Sequence, residues 1–584
     1  MITAAEKPVA SDGPLLLGGE AAARPASRAG VRFRPALSIV VLAWAVRLVS
    51  VFNLLNAILR YQPKFIFWLG KWVPMEVSEG MRIRMFLMSV LLLILASGLE
   101  RGKKLAWQIT VVGLLLAPIL HLDRGVIWPA AMANLLLIGY LVCQRHYFVV
   151  ESDPRSIRSA LVICPALGAG LLIFGTARLH ALHKDTVGEH TWTACARTAG
   201  ELVFLHHATT QLPVTKQAGD LFATLRVGGT SIALVGLCLI LRPVMARRRV
   251  RAEHREQVRR LIALHGGDPM DPYALLSDKQ YFFTGNGEAA VPYVVSGKLA
   301  VTLAGPIGPA EERAAAITEF ALYCRHRDWR PVFYGINDEM LKEYEQAGLG
   351  VFKVSEEAWL RADQFTLKGG EFQNLRTACN AARKRGLVFR WYDAAAGIDL
   401  KLEEQLAEIS RDWLEGKRTG EMAFDMGAFS EESIRRLGAA VALDPDGRAL
   451  AFATWRAFAQ GRGRCLDLMR SRPSARNVMD FVLVESILRF KALGVRDVSL
   501  GGAPLANADP GSIAPLGEEK AVRFLFENLN RVYGYKSLFE FKRKYRPEWR
   551  GRYIAYHRGL HLPLVGLAVV RVHAPSGLWR FFLA

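Results

Sequence analysis

The chain has 584 residues but only seven cysteines, which are scattered and never form a CxxC pair. An odd, dispersed count argues against a disulfide framework or a cysteine-built zinc site. No HExxH occurs, and His180 with His183, or His206 with His207, read as polar loop residues rather than metal ligands. Residues 1–34 lack the leading apolar core of a cleavable signal peptide; rich in Ala, Gly, Pro and Arg, they read as a disordered cytoplasmic tail. Acid is also scarce relative to base: 54 Asp and Glu stand against 75 Lys and Arg, for a net charge of +21. Such a surface attracts polyanions, of which nucleic acid and an anionic lipid leaflet are the two natural kinds.

What the chain does have is apolar length, with a mean hydropathy of +0.16. A strongly basic soluble protein seldom combines these two features, whereas a membrane protein with a basic cytoplasmic part does. Apolar runs at 36–59, 82–99, 105–122, 126–143, 158–177 and 224–241 predict about six helices in a membrane domain over 35–242. Arg24, Arg28, Arg32 and Arg34, then Arg101, Lys103 and Lys104, then Arg155 and Arg158, and finally the run from Arg242 to Arg260 all fall on the cytoplasmic side if the N-terminus is inside. Arg60, Lys64 and Lys71 oppose this pattern mildly, in a segment whose Trp68 and Trp72 suit an interface. Arg47 lies within the first span and calls for snorkelling, a partner in the bundle, or a polar pathway. Residues 243–264 carry only Glu253 and Glu256 against many arginines. They read both as a stop-transfer flank and as a helix lying on anionic headgroups.

From about 265 the texture becomes α/β. Strand-like runs at 289–295, 299–304 and 331–334 alternate with helical patterns at 310–327 and 338–347. A comparable series follows: a helix near 400–415, strands at 449–455 and 465–469, a helix near 478–493, a strand at 495–500 and a helix near 518–533. Two similar halves, 265–399 and 400–558, predict a tandem repeat of one fold. The apolar 560–570 stretch and Trp579, Phe581 and Phe582 make 559–584 an expected interfacial tail.

Chemistry concentrates in the second half. Asp467 lies in a strand on the same face as Cys465 and Met469, and a carboxylate on a half-apolar face needs a partner, either an ion pair or a ligand. Arg470 faces the other way in a regular strand, so the two meet one ligand only if the strand bulges or turns. Asn477 and Asp480 suggest a capping box for the following helix, with substrate binding the alternative role for Asp480. Gly501 and Gly502, just past a strand, allow close backbone approach or simply a tight turn. In Phe541-Lys-Arg-Lys-Tyr545, an extended chain places Lys542 and Lys544 together on one face, for phosphate contact or as an exposed basic strand.

Beyond these clusters, Ala304-Gly-Pro-Ile-Gly308, Trp329 to Tyr334, Glu356-Glu-Ala358, Phe365-Thr-Leu-Lys-Gly369, Asn374-Leu-Arg376, and Trp413 with Lys417 and Glu421 stand in order along the chain. With them, the stretch from about Tyr273 to Tyr556 resembles the synthase domain of the multiple peptide resistance factor family, the phosphatidylglycerol lysyltransferases and their alanyl relatives. The resemblance implies two acetyltransferase-like (GNAT) domains joined back to back, with a tunnel between them. It also implies attack by a phosphatidylglycerol headgroup hydroxyl on the ester of aminoacyl-tRNA, lysyl-tRNA foremost, at the bacterial inner membrane. Such a product lowers the membrane's negative charge and protects against cationic antimicrobial peptides. Because the donor is already an activated ester, no cofactor is expected. By resemblance Asp467 holds the amino group or assists proton transfer, and Arg470 with Lys542 or Lys544 holds phosphate and the oxyanion. Glu527 is a second carboxylate candidate, and a basic donor would want Glu527 or Glu421 nearby. Two departures stand out. Ser355 replaces an expected Gly, and Ser471–Arg476 lacks the glycines of an acetyl-CoA pyrophosphate loop. The membrane half is also short for a family whose full-length members carry a flippase module. Another lipid or envelope acceptor, or a lipid flippase with a regulatory cytoplasmic domain, are the competing readings, and homo-oligomerisation is left open.

Overall fold

The computed structural model describes residues 40, 41, 43, 44, 46–48, 51, 79–120, 128–152, 154–205, 211–241, 251–415, 421, 423–475, 477–504, 535–557 and 562–573. Apolar helices fill five of the six hydrophobic runs, the first (36–59) lying mostly outside the described residues: α1 (Glu79–Glu100), α2 (Lys104–Leu120), α3 (Trp128–Cys143), α4 (Pro154–Ala181) and α6 (Lys216–Ile240). Of these, α4, through its Ser156–Ala181 stretch, and α6 are long and apolar enough to cross a membrane. They pack together, α5 (Trp192–Gly200) packs on α4, and the chain between them also forms a small ribbon, β1 (Thr186–Gly188) paired antiparallel with β2 (Gln211–Pro213). Arg47 finds its partner inside the bundle, with Nη2 bonded to the Glu100 carboxylate and lying 3.5 Å from Ser97 Oγ.

After α7 (Ala252–His265), the chain builds one continuous sheet of eleven strands. The first half supplies β3 (Gln280–Phe283), β4 (Ala290–Ser296), β5 (Leu299–Leu303), α8 (Ala310–His326), β6 (Arg330–Ile336), α9 (Leu341–Gln346) and the long β7 (Leu349–Arg361). The second half supplies α10 (Gln373–Lys384), β8 (Val388–Tyr392), α11 (Leu400–Glu415), α12 (Glu431–Leu437), β9 (Ala439–Leu443), β10 (Ala449–Phe458), β11 (Gly463–Ser471), α13 (Val478–Ala492), β12 (Asp497–Pro504), α14 (Tyr535–Arg543) and β13 (Glu548–His557). Each half runs through an antiparallel meander, a crossover helix and a parallel strand: β5 lies parallel to β6, and β11 parallel to β12. Burial on both faces suits the largely apolar β5, all five of whose residues are buried.

The halves are joined by exchanging their last strands. The order β6-β13-β7-β12 puts β13, the end of the second half, beside β6 of the first, and β7, the end of the first, beside β12 of the second. Neither half is closed without the other. The division expected at 399/400 also shifts, because β8 pairs with β9 and therefore belongs to the second half. The apolar tail expected at an interface takes a different place over its described part. Helix α15 (Leu562–His573) packs on β4 and β5 and buries Leu562, Val565, Ala568 and Val572 in the first half's core. Covering that sheet face removes more apolar surface from water than a short interfacial helix would.

Candidate active site in the split of the second half

Strands β11 and β12 start side by side but pair at only three positions, Gly463↔Asp497, Arg464↔Val498 and Cys465↔Ser499. Beyond these they part. β11 runs on to Ser471 along β10, while β12 leans to β7 through Gly502↔Glu357, Ala503↔Glu356 and Pro504↔Ser355. Parallel strands that diverge at their carboxyl ends leave a crevice of the kind α/β proteins use for ligands.

A bulge shapes one wall. Trp455 faces Leu466 and Ala453 faces Met469, so Asp467 and Leu468 together oppose the single residue Thr454. Thr454 Oγ1 accepts a bond of 3.1 Å from the Leu468 amide. The extra residue resets the alternation. Leu466 and Met469 pack toward α13, whereas Leu468 packs with α11 and Arg470 donates to Ser410 on α11. Asp467 and Arg470, which a regular strand would send to opposite faces, thereby come to one face. A single loop clasps both of them. Glu421 Oε1 accepts from Arg470 Nη2 at 2.5 Å, and the Gly427 amide donates to Asp467 Oδ1 at 2.9 Å.

Asp467 resolves toward the ion-pair alternative. Its side chain is 1% exposed and its Oδ2 lies 3.0 Å from Arg456 Nη2; Arg456 in turn sits over the Tyr273 ring at 4.9 Å. Arg470 is equally enclosed, with its guanidinium 5.0 Å from the Trp413 ring centre. Glu421, at 28% exposed, is the most open carboxylate of this group.

The other wall holds Lys542. The basic run expected as a strand is instead the end of α14, followed by a turn in which the Tyr545 amide donates to Lys542 O at 3.0 Å. Helical geometry separates the two lysines. Lys542 is buried and its Nζ donates to Gly502 O at 2.8 Å, while Lys544 pairs with Asp480 at 2.7 Å. Burial pushes the Lys542 amine down to about 8, partly opposed by the nearby Glu357 carboxylate. Gly501 has φ +80°, a left-handed conformation suited to glycine, and a Cβ there would lie 3.5 Å from Lys542 Nζ. Glycine thus serves both the turn of the chain and the close approach of the lysine.

Asp480 does not act as a capping residue. Asn477 is itself left-handed (φ 59°) and makes no side-chain cap, and the Asp480 carboxylate instead accepts from Lys544 Nζ and from Tyr545 OH at 3.1 Å. Glu527 lies outside the described residues. Among the described residues, no group of three or more His, Cys, Asp or Glu is arranged to hold a metal.

Sequence reasoning missed the ionic cluster at the seam. Arg552 on β13 donates to Asp268 at 2.6 and 2.9 Å, to Glu357 Oε2 at 2.8 Å and to Gly335 O at 3.2 Å. Burial opposes its charge, but the two carboxylates outweigh that and hold its pKa above the ordinary value. Glu357 also accepts from Ser499 Oγ, which accepts from the Gly501 amide at 3.0 Å. One hydrogen-bonded path therefore links the strand exchange to the glycine beside Lys542. The available signal was Glu357 itself, a carboxylate embedded in the apolar run of β7.

Comparison with known proteins gives this geometry a family. Residues 259–556 match the family described as phosphatidylglycerol lysyltransferase, C-terminal. The chain is 30% identical to a phosphatidylglycerol lysyltransferase of Bacillus subtilis over 312 residues, covering 53% of this chain and 36% of that protein. It is 28% identical over 515 residues to an uncharacterised protein of Corynebacterium glutamicum, covering 82% of this chain and 63% of that one. The chain therefore spans less than two thirds of the length of these relatives. The solved structure of L-PGS from Bacillus licheniformis superposes with a TM-score of 0.50 at 27% identity, covering 56% of this chain and 98% of that one. Two halves of like topology, a split in the second and a family match over both lead to one identification: this chain belongs to the phosphatidylglycerol lysyltransferase C-terminal family.

Proposed function

We propose that this protein transfers an aminoacyl group, lysyl in the first instance, from aminoacyl-tRNA to a headgroup hydroxyl of phosphatidylglycerol at the bacterial inner membrane. The product offsets the anionic charge of the lipid and gives resistance to cationic antimicrobial peptides. The observation that carries this reading is the buried Lys542 amine, lowered to about 8 by burial and bonded to Gly502 O on the part of β12 that has left β11.

The chemistry needs no new activation, since the donor carbonyl is already an ester. A neutral amine accepts the proton of the attacking lipid hydroxyl, and it can return that proton to the departing ribose oxygen of the tRNA. The carbonyl oxygen gains negative charge as the hydroxyl adds, and Arg470 is the fixed cation on the facing wall. Glu421, partly open and bonded to Arg470, is placed to take the ammonium of the donor amino acid; a lysyl donor carries a second ammonium that favours a site with such a carboxylate. Asp467, enclosed by Arg456 and the Gly427 amide, acts as a positioning residue for the 421–429 loop. Enclosure of the walls limits hydrolysis of the ester by water.

Expression in a bacterium that lacks aminoacylated lipids, followed by mass spectrometry of the membranes, tests the reading. A new aminoacyl-phosphatidylglycerol supports it and its mass names the amino acid. Inserted protein without such a lipid contradicts it.

A further inference from the structure

The stretch that clasps Asp467 and Arg470 is seated at its middle in the other half of the molecule. Glu421 reaches Arg470, and its Oε1 also accepts from the Phe429 amide at 2.9 Å. Gly427 meets Asp467 so closely that a Cβ there would lie 2.6 Å from both carboxylate oxygens and 2.7 Å from Arg456 Nη2. Phe424 stands midway between Glu421 and Gly427 in the chain. It is fully buried, in one cluster with Leu303 of β5, Val332 of β6 and Val572 of α15. Its ring centre lies 6.0 Å from that of Tyr334 and 5.1 Å from that of His573.

The backbone around Phe424 is fastened to the same neighbours. Phe424 O accepts from Lys279 Nζ at 2.7 Å, and that ammonium lies 4.4 Å from the Phe424 ring centre. Lys279, just before β3, is itself buried and bonded to Asp278 at 2.8 Å. On either side, the Ala423 amide donates to His573 O at 2.9 Å, and Asp425 Oδ1 lies 3.1 Å from His573 Nε2. Phe424 also has φ +78°, a left-handed conformation that a bulky residue keeps only where its surroundings over-determine it. Glycine would adopt it freely, yet the chain places there a ring whose burial pins the segment. Among the described residues, the hydrogen-bond partners of the Glu421 carboxylate are Arg470 and the Phe429 amide, so its placement follows that of the stretch that carries it.

We infer that Phe424, seated by Lys279 and α15, is a positioning residue that holds Glu421 at the donor site, so that the first half and α15 set how the second half binds the amino acid of its donor. This inference rests on the proposed function, in which Glu421 takes the donor's ammonium. Such a contact acts on ground state and transition state alike, so its loss appears in KM rather than kcat. Arg470 keeps Ser410 and the Trp413 ring when Glu421 shifts, and so keeps its own place.

The test measures transfer from lysyl-tRNA by the full chain in nanodiscs that contain phosphatidylglycerol, with circular dichroism of each variant. Phe424→Ala should raise the KM for lysyl-tRNA about tenfold, the order of one lost hydrogen bond to a charged group, with a much smaller change in kcat. Glu421→Ala should do the same, and the double variant should match Glu421→Ala alone within about twofold, because both changes remove one contact. Lys279→Met keeps the ring but removes the bond to its carbonyl, and should raise KM in the same direction. A merely structural role would lower stability and the amount of folded enzyme while leaving KM at the parent's value. The parent's KM in folded Phe424→Ala, or in Lys279→Met where the former does not fold, overturns the inference and leaves the reaction standing. Losses that multiply in the double variant overturn it equally. The parent's KM in Glu421→Ala takes that carboxylate out of the donor site, and defeats the proposed reading of Glu421 together with the inference.

Discussion

The two halves of the sheet share a topology and differ at one place. In the first, β5 and β6 stay paired from Leu299↔Arg330 through Leu303↔Tyr334. In the second, the equivalent strands release each other after Cys465↔Ser499. The closed half fills its space with packed aromatics, Tyr293, Phe320, Phe333 and Tyr344, all nearly inaccessible to water. The open half lines its split with Asp467, Arg470 and Lys542, all buried and all engaged. On the proposed function, one copy of the fold serves as a scaffold and the other as the site. Strand exchange makes the scaffold part of the site, because β7 delivers Glu357 to Ser499 and to Arg552.

That contrast can be broken most sharply at Lys542. Replacing it with Met should lower kcat by about 10²–10⁴-fold if it handles the proton, with the fold retained; circular dichroism and steady-state transfer assays check both. Retained activity would erase the distinction between the halves. The pH profile sharpens the same point. Wild-type kcat should rise with pH through about 8 as the amine becomes neutral, and the Met variant should lose that inflection. The linked stability has a definite sign. A lysine whose folded pKa lies below its unfolded value binds fewer protons when folded, so this group's contribution to stability rises with pH from about 8 upward.

The seam comes next. Arg552→Met leaves the buried Glu357 and the half-buried Asp268 without their cation and should cost about 3 kcal/mol, read as a fall in urea midpoint. A cost confined to the first half, with unchanged activity, would separate scaffold from site. His573→Ala removes the enclosed partner of Asp425 at 3.1 Å, which ties the 421–429 loop to α15. Burial works against the charge on both groups, but each partner outweighs it. The His573 pKa is therefore raised and that of Asp425 lowered. The histidine's contribution is full below its unfolded pKa and fades as pH rises through the raised one. The aspartate's contribution is present above its unfolded pKa and fades as pH falls through the lowered one. The variant's stability deficit should therefore be greatest at mildly acid pH and shrink toward alkaline pH. The smallest effects distinguish two glycines. Gly501→Ala and Gly297→Ala both strain a positive φ by about 1 kcal/mol, but only the former sets a methyl beside Lys542, so only it should reduce kcat.

Much of this was legible in the chain, for physical reasons that also mark the limits. Apolar length announced the apolar helices, of which α4 and α6 are long enough to cross a membrane, and strand-like runs such as β5 announced the α/β texture. Asp467 stood out because a carboxylate in an apolar strand needs a partner, and the bulge required for Arg470 to join it could be named as a condition though not located. The Phe541–Tyr545 run misled, since its alternation of aromatic and basic residues fits a strand while tertiary packing makes it the end of a helix. Asp480 likewise had a local explanation that a distant partner, Lys544, displaced. The Glu357–Arg552 pair and the exchange of β7 and β13 join positions 195 residues apart, and no local pattern encodes such a pairing.

The most direct measurement is transfer of labelled lysine from lysyl-tRNA to phosphatidylglycerol vesicles by the purified full chain, followed beside its Lys542→Met variant. The split-site account predicts labelled lipid from the parent and a loss of at least a hundredfold in the variant at equal tRNA binding. Equal rates from the two proteins, or label that appears only as free lysine, would contradict it.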